Sequence, residues 1–213
     1  MTVEQVLVHT RLAADLVGAT KMDRCEDVEP HPTTGRVYVA CTNNTRRGIS
    51  APVDEANPRL ANRDGHVIEL VETSGQGGTS FAWSILLLCG DPNGPARTYF
   101  AGFPPERVSP ISCPDNVAFD GEGNLWISTD GAPSTMRKND GLFKVPLEGP
   151  ERGRVQQFLS VPRDAETCGP MIRVEDGMEL VAVQHPGEDG TFAAPNSFFP
   201  DYGSTEPGAA AAP

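Results

Sequence analysis

Oxygen-bearing side chains recur at matching places along the chain: Glu26 and Glu29, Asn43 and Asn44, Asp115 and Asn116, Asp130, Glu166, then Gln184 with His185. Each lies just ahead of a short apolar run or just behind the run that answers it, with a glycine-containing turn between the two runs. Carboxylates and amides gathered in one place repel one another unless a cation sits among them. Hard ions such as calcium take six to eight oxygens, so such a gathering is the donor set of a metal site. A single Asp-Asn or Thr-Asn-Asn stretch is also a turn former that bonds its own backbone. The recurrence in three segments is what points to a shared site. His185 read alone is a hydrogen-bonded structural histidine, and only its place, where the other segments carry Asn43 and Asp130, promotes it. The five cysteines form an odd set without CxxC spacing, which signals neither a zinc site nor a disulfide framework. Cys25 and Cys113 precede acidic stretches and Cys168 follows one, so a thiolate ligand to iron stays open beside the reading of inert packing thiols.

The elements that must position these residues read as β-hairpins. The first runs from Glu26 through the turn Thr34-Gly35 to Asn44, the second from Pro114 through Asp120-Gly121-Glu122-Gly123 to Gly131, and the third from Ala165 through Glu175-Asp176-Gly177 to Gly187. In an antiparallel hairpin the start of the first strand and the end of the second lie at the same end, so the polar residues collect on one rim. Two more strands follow the second hairpin, at 141–147 and 154–161, and two complete the first, at 65–70 and 81–88, after a long excursion over 45–64. A four-stranded unit of about 50 residues is the size of a propeller blade. The expectation is an all-β chain holding about two and a half blades of a partial β-propeller, over residues 1–190. Residues 3–17 are expected to add one outer strand and a short helical turn around Leu12 to Leu16. Residues 191–213, which end in Gly208-Ala209-Ala210-Ala211-Ala212-Pro213, read as a disordered or poorly ordered tail.

Bulk properties narrow the function. The formal net charge is −12 and no Lys/Arg cluster larger than a pair such as Arg46-Arg47 occurs, so nothing marks a nucleic-acid or anionic-membrane partner. The longest apolar run, Phe81 to Cys89, is strand-length and far short of the ~20 residues of a transmembrane helix. The N-terminus has neither a basic segment followed by an apolar core nor a twin arginine, so no export signal is read from it.

The residues then carry a resemblance. Lys21-Met22-Asp23-Arg24-Cys25-Glu26-Asp27-Val28-Glu29-Pro30, Thr42-Asn43-Asn44, Asn57-Pro58-Arg59, Arg63-Asp64-Gly65-His66, Cys113-Pro114-Asp115-Asn116, Ser128-Thr129-Asp130-Gly131 and Val183-Gln184-His185-Pro186-Gly187-Glu188 occur in this order. The set resembles the PhoX alkaline phosphatases over about residues 5–207. That resemblance implies a six-bladed propeller that hydrolyses phosphate monoesters with Ca2+ and Fe3+ in its channel, leaves the cell interior folded by the twin-arginine route, and serves phosphate scavenging. It implies Glu26, Asp115, Asp130 and Glu166 as metal ligands, undivided between the two ions. Glu29, Asn43, Asn44, Asn116, Gln184 and His185 match motif positions as rim or substrate contacts. Family chains are longer, with an N-terminal half that supplies the export signal, further blades and other ligands including a cysteine, and they usually carry proline where Cys25 stands. The expectation is therefore a partial ring needing that half or a second chain to close, with little turnover alone. Two other readings stay open: a calcium lactonase or gluconolactonase-like propeller, which the stretch from Pro114 to Trp126 alone also fits, and a non-catalytic truncated or split-gene product.

Overall fold

The structure, a computed structural model, describes residues 1–75 and 77–200. Two short helices, α1 (Val3–Val8) and α2 (Thr10–Leu16), open the chain. The outer strand expected over residues 3–17 is thus absent from its place. The Thr2 hydroxyl accepts the Gln5 amide while the Gln5 side chain accepts the Thr2 amide, a capping box that starts a helix there. Neither helix buries a residue.

Three antiparallel sheets follow. The first has the order β1 (Cys25–Pro30), β2 (Val37–Cys41), β3 (His66–Glu72), β4 (Phe81–Leu88) and β5 (Tyr99–Phe100). The second has β6 (Pro114–Phe119), β7 (Leu125–Thr129), β8 (Gly141–Val145) and β9 (Gln156–Ser160), with a one-turn helix α3 (Ala132–Met136) between β7 and β8. The third is the hairpin β10 (Glu166–Arg173) and β11 (Met178–Gln184). All three expected hairpins form, each as the leading pair of its sheet. The two-residue β5 escaped the sequence reading because so short a strand has no period to detect. Of the tail expected over 191–213, residues 201–213 lie outside the described residues, and within the rest Thr191 pairs with Ala194 in an isolated bridge.

Apolar alternation decides which faces meet. Tyr38, Val67 and Leu87 of the first sheet pack with Val117, Ile127 and Phe143 of the second in one buried cluster. Polar bonds brace the same junction. The buried Glu69 carboxylate accepts the Tyr38 hydroxyl at 2.6 Å and the Arg152 guanidinium, from beyond β8, at 2.8 Å. Trp126 is buried, its indole N–H donating to Asp120 at 2.9 Å and its ring edge-on to Phe158.

The excursion over 45–64 holds no regular strand and is pinned by a buried polar network instead. Arg47 Nε donates to Asp23 Oδ1 at 2.7 Å, and both side chains are fully buried. Asn62 Nδ2 donates to the other Asp23 oxygen at 2.9 Å, and Asn62 Oδ1 accepts from Arg59. The Asp23 amide donates to Asn57 Oδ1 at 3.0 Å. Burial pushes the neighbouring His66 imidazole down to about 4, so it packs neutral. The Asn-Pro-Arg and Arg-Asp-Gly-His stretches of the sequence are therefore mostly structural.

Gly65 has φ +76°, and a Cβ there would stand 2.1 Å from the Thr42 carbonyl oxygen and 2.7 Å from the Pro114 ring. The first sheet can approach the start of β6 only because this side chain is missing. Gly65→Ala is expected to destabilise the chain by about 2 kcal/mol or more through strain and displaced backbone, read as a lower urea midpoint with an unchanged m-value.

Candidate metal centre

The leading strands of the three sheets lie side by side, β1 against β6 and β6 against β10. Side chains tie each to the next. Asp27 Oδ2 accepts the Val117 amide at 2.8 Å, and Asn116 Oδ1 accepts the Gly169 amide at 2.9 Å. Asn43 Nδ2 donates to Cys113 Sγ at 3.6 Å.

The entry to each leading strand is built the same way. Arg24, Cys113 and Asp164 all have φ near +50°, and each stands two residues before an acidic one: Glu26, Asp115 and Glu166. Left-handed backbone costs a non-glycine residue about 1–2 kcal/mol, so the surrounding packing must hold it. Each leading strand also slips register against its partner, between Cys25 and Asp27, between Pro114 and Val117, and between Cys168 and Met171. A bulge of this kind re-aims the side chains at its apex. In the first two strands the apex carries Glu26 and Asp115-Asn116.

Asp115 is half-buried and, among the described residues, has neither a hydrogen-bond nor a cation partner. Partial burial, and then the charges of Glu166, Asp130, Glu26 and Asp27, push its carboxyl up to about 6. Asp130, more open to solvent, is raised by desolvation and then by Glu166 and Asp140, against a pull from Arg24 and His185. Four of the sequence-predicted ligands thus share one electrostatic neighbourhood. Asp130, Glu166 and His185 line a cavity of about 330 Å3 with Asp140 and Glu188. Asp115 and Glu26 are not part of its wall.

Other predicted residues serve these carboxylates. Gln184 Nε2 donates to Glu166 Oε2 at 2.7 Å, and His185 Nε2 stands 3.4 Å from the same oxygen. Arg24 pairs with Glu26 at 2.8 Å and donates to Asn43 Oδ1 at 3.1 Å. Two predicted residues sit apart from the cluster. Asn44 accepts the Arg46 amide at 3.0 Å and is a turn former. Glu29 pairs across from Tyr38 toward the turn end of its hairpin, because the acidic stretch runs on into the strand. Of the three thiols beside acidic stretches, burial raises Cys113, whose Sγ meets Asn43 and the Arg63 carbonyl, Cys168 is pushed up to about 12 by burial and by Glu166, and Cys25 is lowered by its contact with Cys41.

Sequence reasoning missed Arg24 and Asp140. Buried Asp140 accepts the Thr129 hydroxyl at 2.6 Å and the Gly131 and Ala132 amides at 3.0 Å each, so it fixes the backbone on both sides of Asp130. Its place ahead of β8, after Asn139, reads as a turn in the sequence, and nothing there reveals the partners across ten residues.

A family profile described as "Alkaline phosphatase PhoX" matches residues 1–187. The chain belongs to the PhoX family. Among solved structures, Pseudomonas fluorescens PhoX in complex with vanadate, a transition state analogue, is similar at 32% identity and a TM-score of 0.78. The match covers 93% of this chain and 34% of that one, so the chain spans about a third of the length of the PhoX structure, less than the half that the resemblance implied. No curated protein matches the chain. Among the described residues, no helix is long and apolar enough to cross a membrane.

The donor chemistry here suits hard cations, whereas the geometry falls short of a closed shell. Among the described residues no three His, Cys, Asp or Glu side chains stand close enough together to hold an ion by themselves. The carboxylates fit in kind and not in number.

The raised Asp115 has a measurable consequence. Its folded-state value of about 6 lies above the ordinary 3.8, so the folded chain favours the neutral carboxyl. That contribution is fully present below pH about 4 and is lost as the pH rises through about 6. Urea midpoints of wild type and Asp115→Asn in metal-free buffer should diverge across this window, the variant becoming the relatively more stable of the two as the pH rises.

Proposed function

We propose that this chain forms one side of a metal-dependent phosphomonoesterase centre, with Glu26, Asp115, Asp130 and Glu166 as its contribution to the ligands of Ca2+ and Fe3+. The observation that carries the reading is Asp115: a half-buried carboxyl without a partner among the described residues, near four further carboxylates whose charges disfavour its ionised form. A cation relieves that repulsion, and phosphate-ester chemistry of the PhoX family is where such a cation would be used.

Ions bound there would neutralise phosphoryl oxygens and lower the pKa of an oxygen nucleophile. The chain's own residues do the positioning. Gln184 and His185 orient Glu166, Asp140 holds the backbone around Asp130, and Arg24 steadies Glu26 beside Asn43. Asn116 supports the rim through the Gly169 amide.

The same proposal takes the three sheets as about two and a half blades of a six-bladed propeller, over residues 1–190, with 191–213 as an appended tail. A closed ring leaves no sheet face unpaired, so the remaining ligands and blades come from sequence outside this chain or from a second chain. The family resemblance supports phosphate monoesters as substrates in preference to lactones. It also supports residence outside the cytoplasm after export by the twin-arginine route.

The test is metal binding joined to turnover. Calorimetric titration of the metal-free chain with Ca2+ should show binding that Asp115→Asn with Asp130→Asn weakens by about tenfold or more, while p-nitrophenyl phosphate is hydrolysed slowly or not at all. Ca2+ binding indifferent to both substitutions would refute the ligand assignment. Steady, chelator-sensitive hydrolysis by the chain alone would refute the incomplete centre.

A further inference from the structure

Cys25 opens β1 and Cys41 closes β2, and the two stand directly opposite each other in the antiparallel pair. Their Sγ atoms are 3.7 Å apart. Directly opposed residues in such a pair have Cα atoms about 4.5–5.5 Å apart, inside the range of about 4.4–6.8 Å that a disulfide spans. Rotation of the side chains about χ1 can close the remaining gap with the backbone left in register. Accessibility is asymmetric. Cys25 is exposed, at the edge of an apolar groove it lines with Val28, Phe81 and Trp83, whereas Cys41 is fully buried. The other three thiols have different surroundings: Cys89 and Cys113 are buried, and Cys168 Sγ faces the Glu166 and Gln184 oxygens.

We propose that Cys25 and Cys41 are a redox modification site, forming a reversible cross-strand disulfide by exchange with a small-molecule disulfide of the glutathione class. The thiolate of Cys25 attacks one sulfur of the oxidant, forming a mixed disulfide and expelling one thiolate that takes up the Cys25 proton. Cys41 then loses its proton and attacks the Cys25 sulfur. That breaks the mixed disulfide and releases the second thiolate, which takes up the Cys41 proton. Two protein thiols are oxidised and one small disulfide is reduced to two thiols. The bridge ties down the end of β1 beside the register slip that presents Glu26. It joins strands that are already paired, so folded geometry is kept while the unfolded chain is constrained. The inference stands on the thiol geometry alone and does not depend on the phosphatase reading.

The experiment equilibrates the purified chain with oxidised glutathione and maps its disulfides by mass spectrometry of a non-reduced digest. Expected are a fall in free thiols from five to three, a linked peptide pair joining residues 25 and 41, and reversal by dithiothreitol. The thermal midpoint should rise by roughly 5–10 °C on oxidation, in keeping with closure of a short loop. Cys25→Ser, at an exposed position, should abolish both the link and the rise, and Cys168→Ser should leave both intact. Persistence of five free thiols would overturn the proposal. So would a stable mixed disulfide resting on Cys25, or a link that runs through Cys168 or to a second chain.

Discussion

Carboxylates brought together in a partly dry setting raise one another's proton affinity, and a fold that gathers them must hold them against that repulsion. Here the restraint comes from hydrogen bonds that cross between sheets. Asp27 grips the Val117 amide and Asn116 grips the Gly169 amide, so neither β1 nor β10 can back away from β6 without exposing an unpaired group. The acidic residues beside these anchors have no comparable freedom, and Asp115 carries the electrostatic cost.

The rest of the architecture serves that approach. The absent side chain of Gly65 lets Pro114 come close, and the buried Asp23 and Arg47 pair anchors the irregular segment that leads up to it. Removing one partner of such a pair leaves an uncompensated buried charge, whereas the intact network satisfies most of its polar atoms. On the far side, Glu69 takes a hydroxyl and two guanidinium groups, fastening the first sheet to Arg152 of the second. Polar anchors therefore flank the apolar cluster between the sheets at both ends.

Each leading strand repeats one device: a left-handed residue, one residue further, then an acid. The repetition shows in the backbone and not in the letters. Arg24, Cys113 and Asp164 have nothing chemical in common, and none is a glycine that would advertise the conformation. Arg24 illustrates a second kind of concealment, because its side chain bridges Glu26 and Asn43, which are brought together only when β1 pairs with β2.

Local patterning in the sequence was sufficient for the hairpins, since alternation, turn glycines and polar strand ends are written in neighbouring residues. It was also sufficient for the acidic character of the shared end. Over residues 3–17 local patterning found the helical turn around Leu12 to Leu16 and misled only about the outer strand, where a capping box at Thr2 starts a helix through Val3, Val6 and Val8. The division of labour among the polar residues was decided only by tertiary structure. Asn44 and Asn116 are alike as letters, yet one closes its own turn and the other bridges two sheets. Distance between sheets, register slips and burial set those roles, and each depends on contacts between residues far apart along the chain.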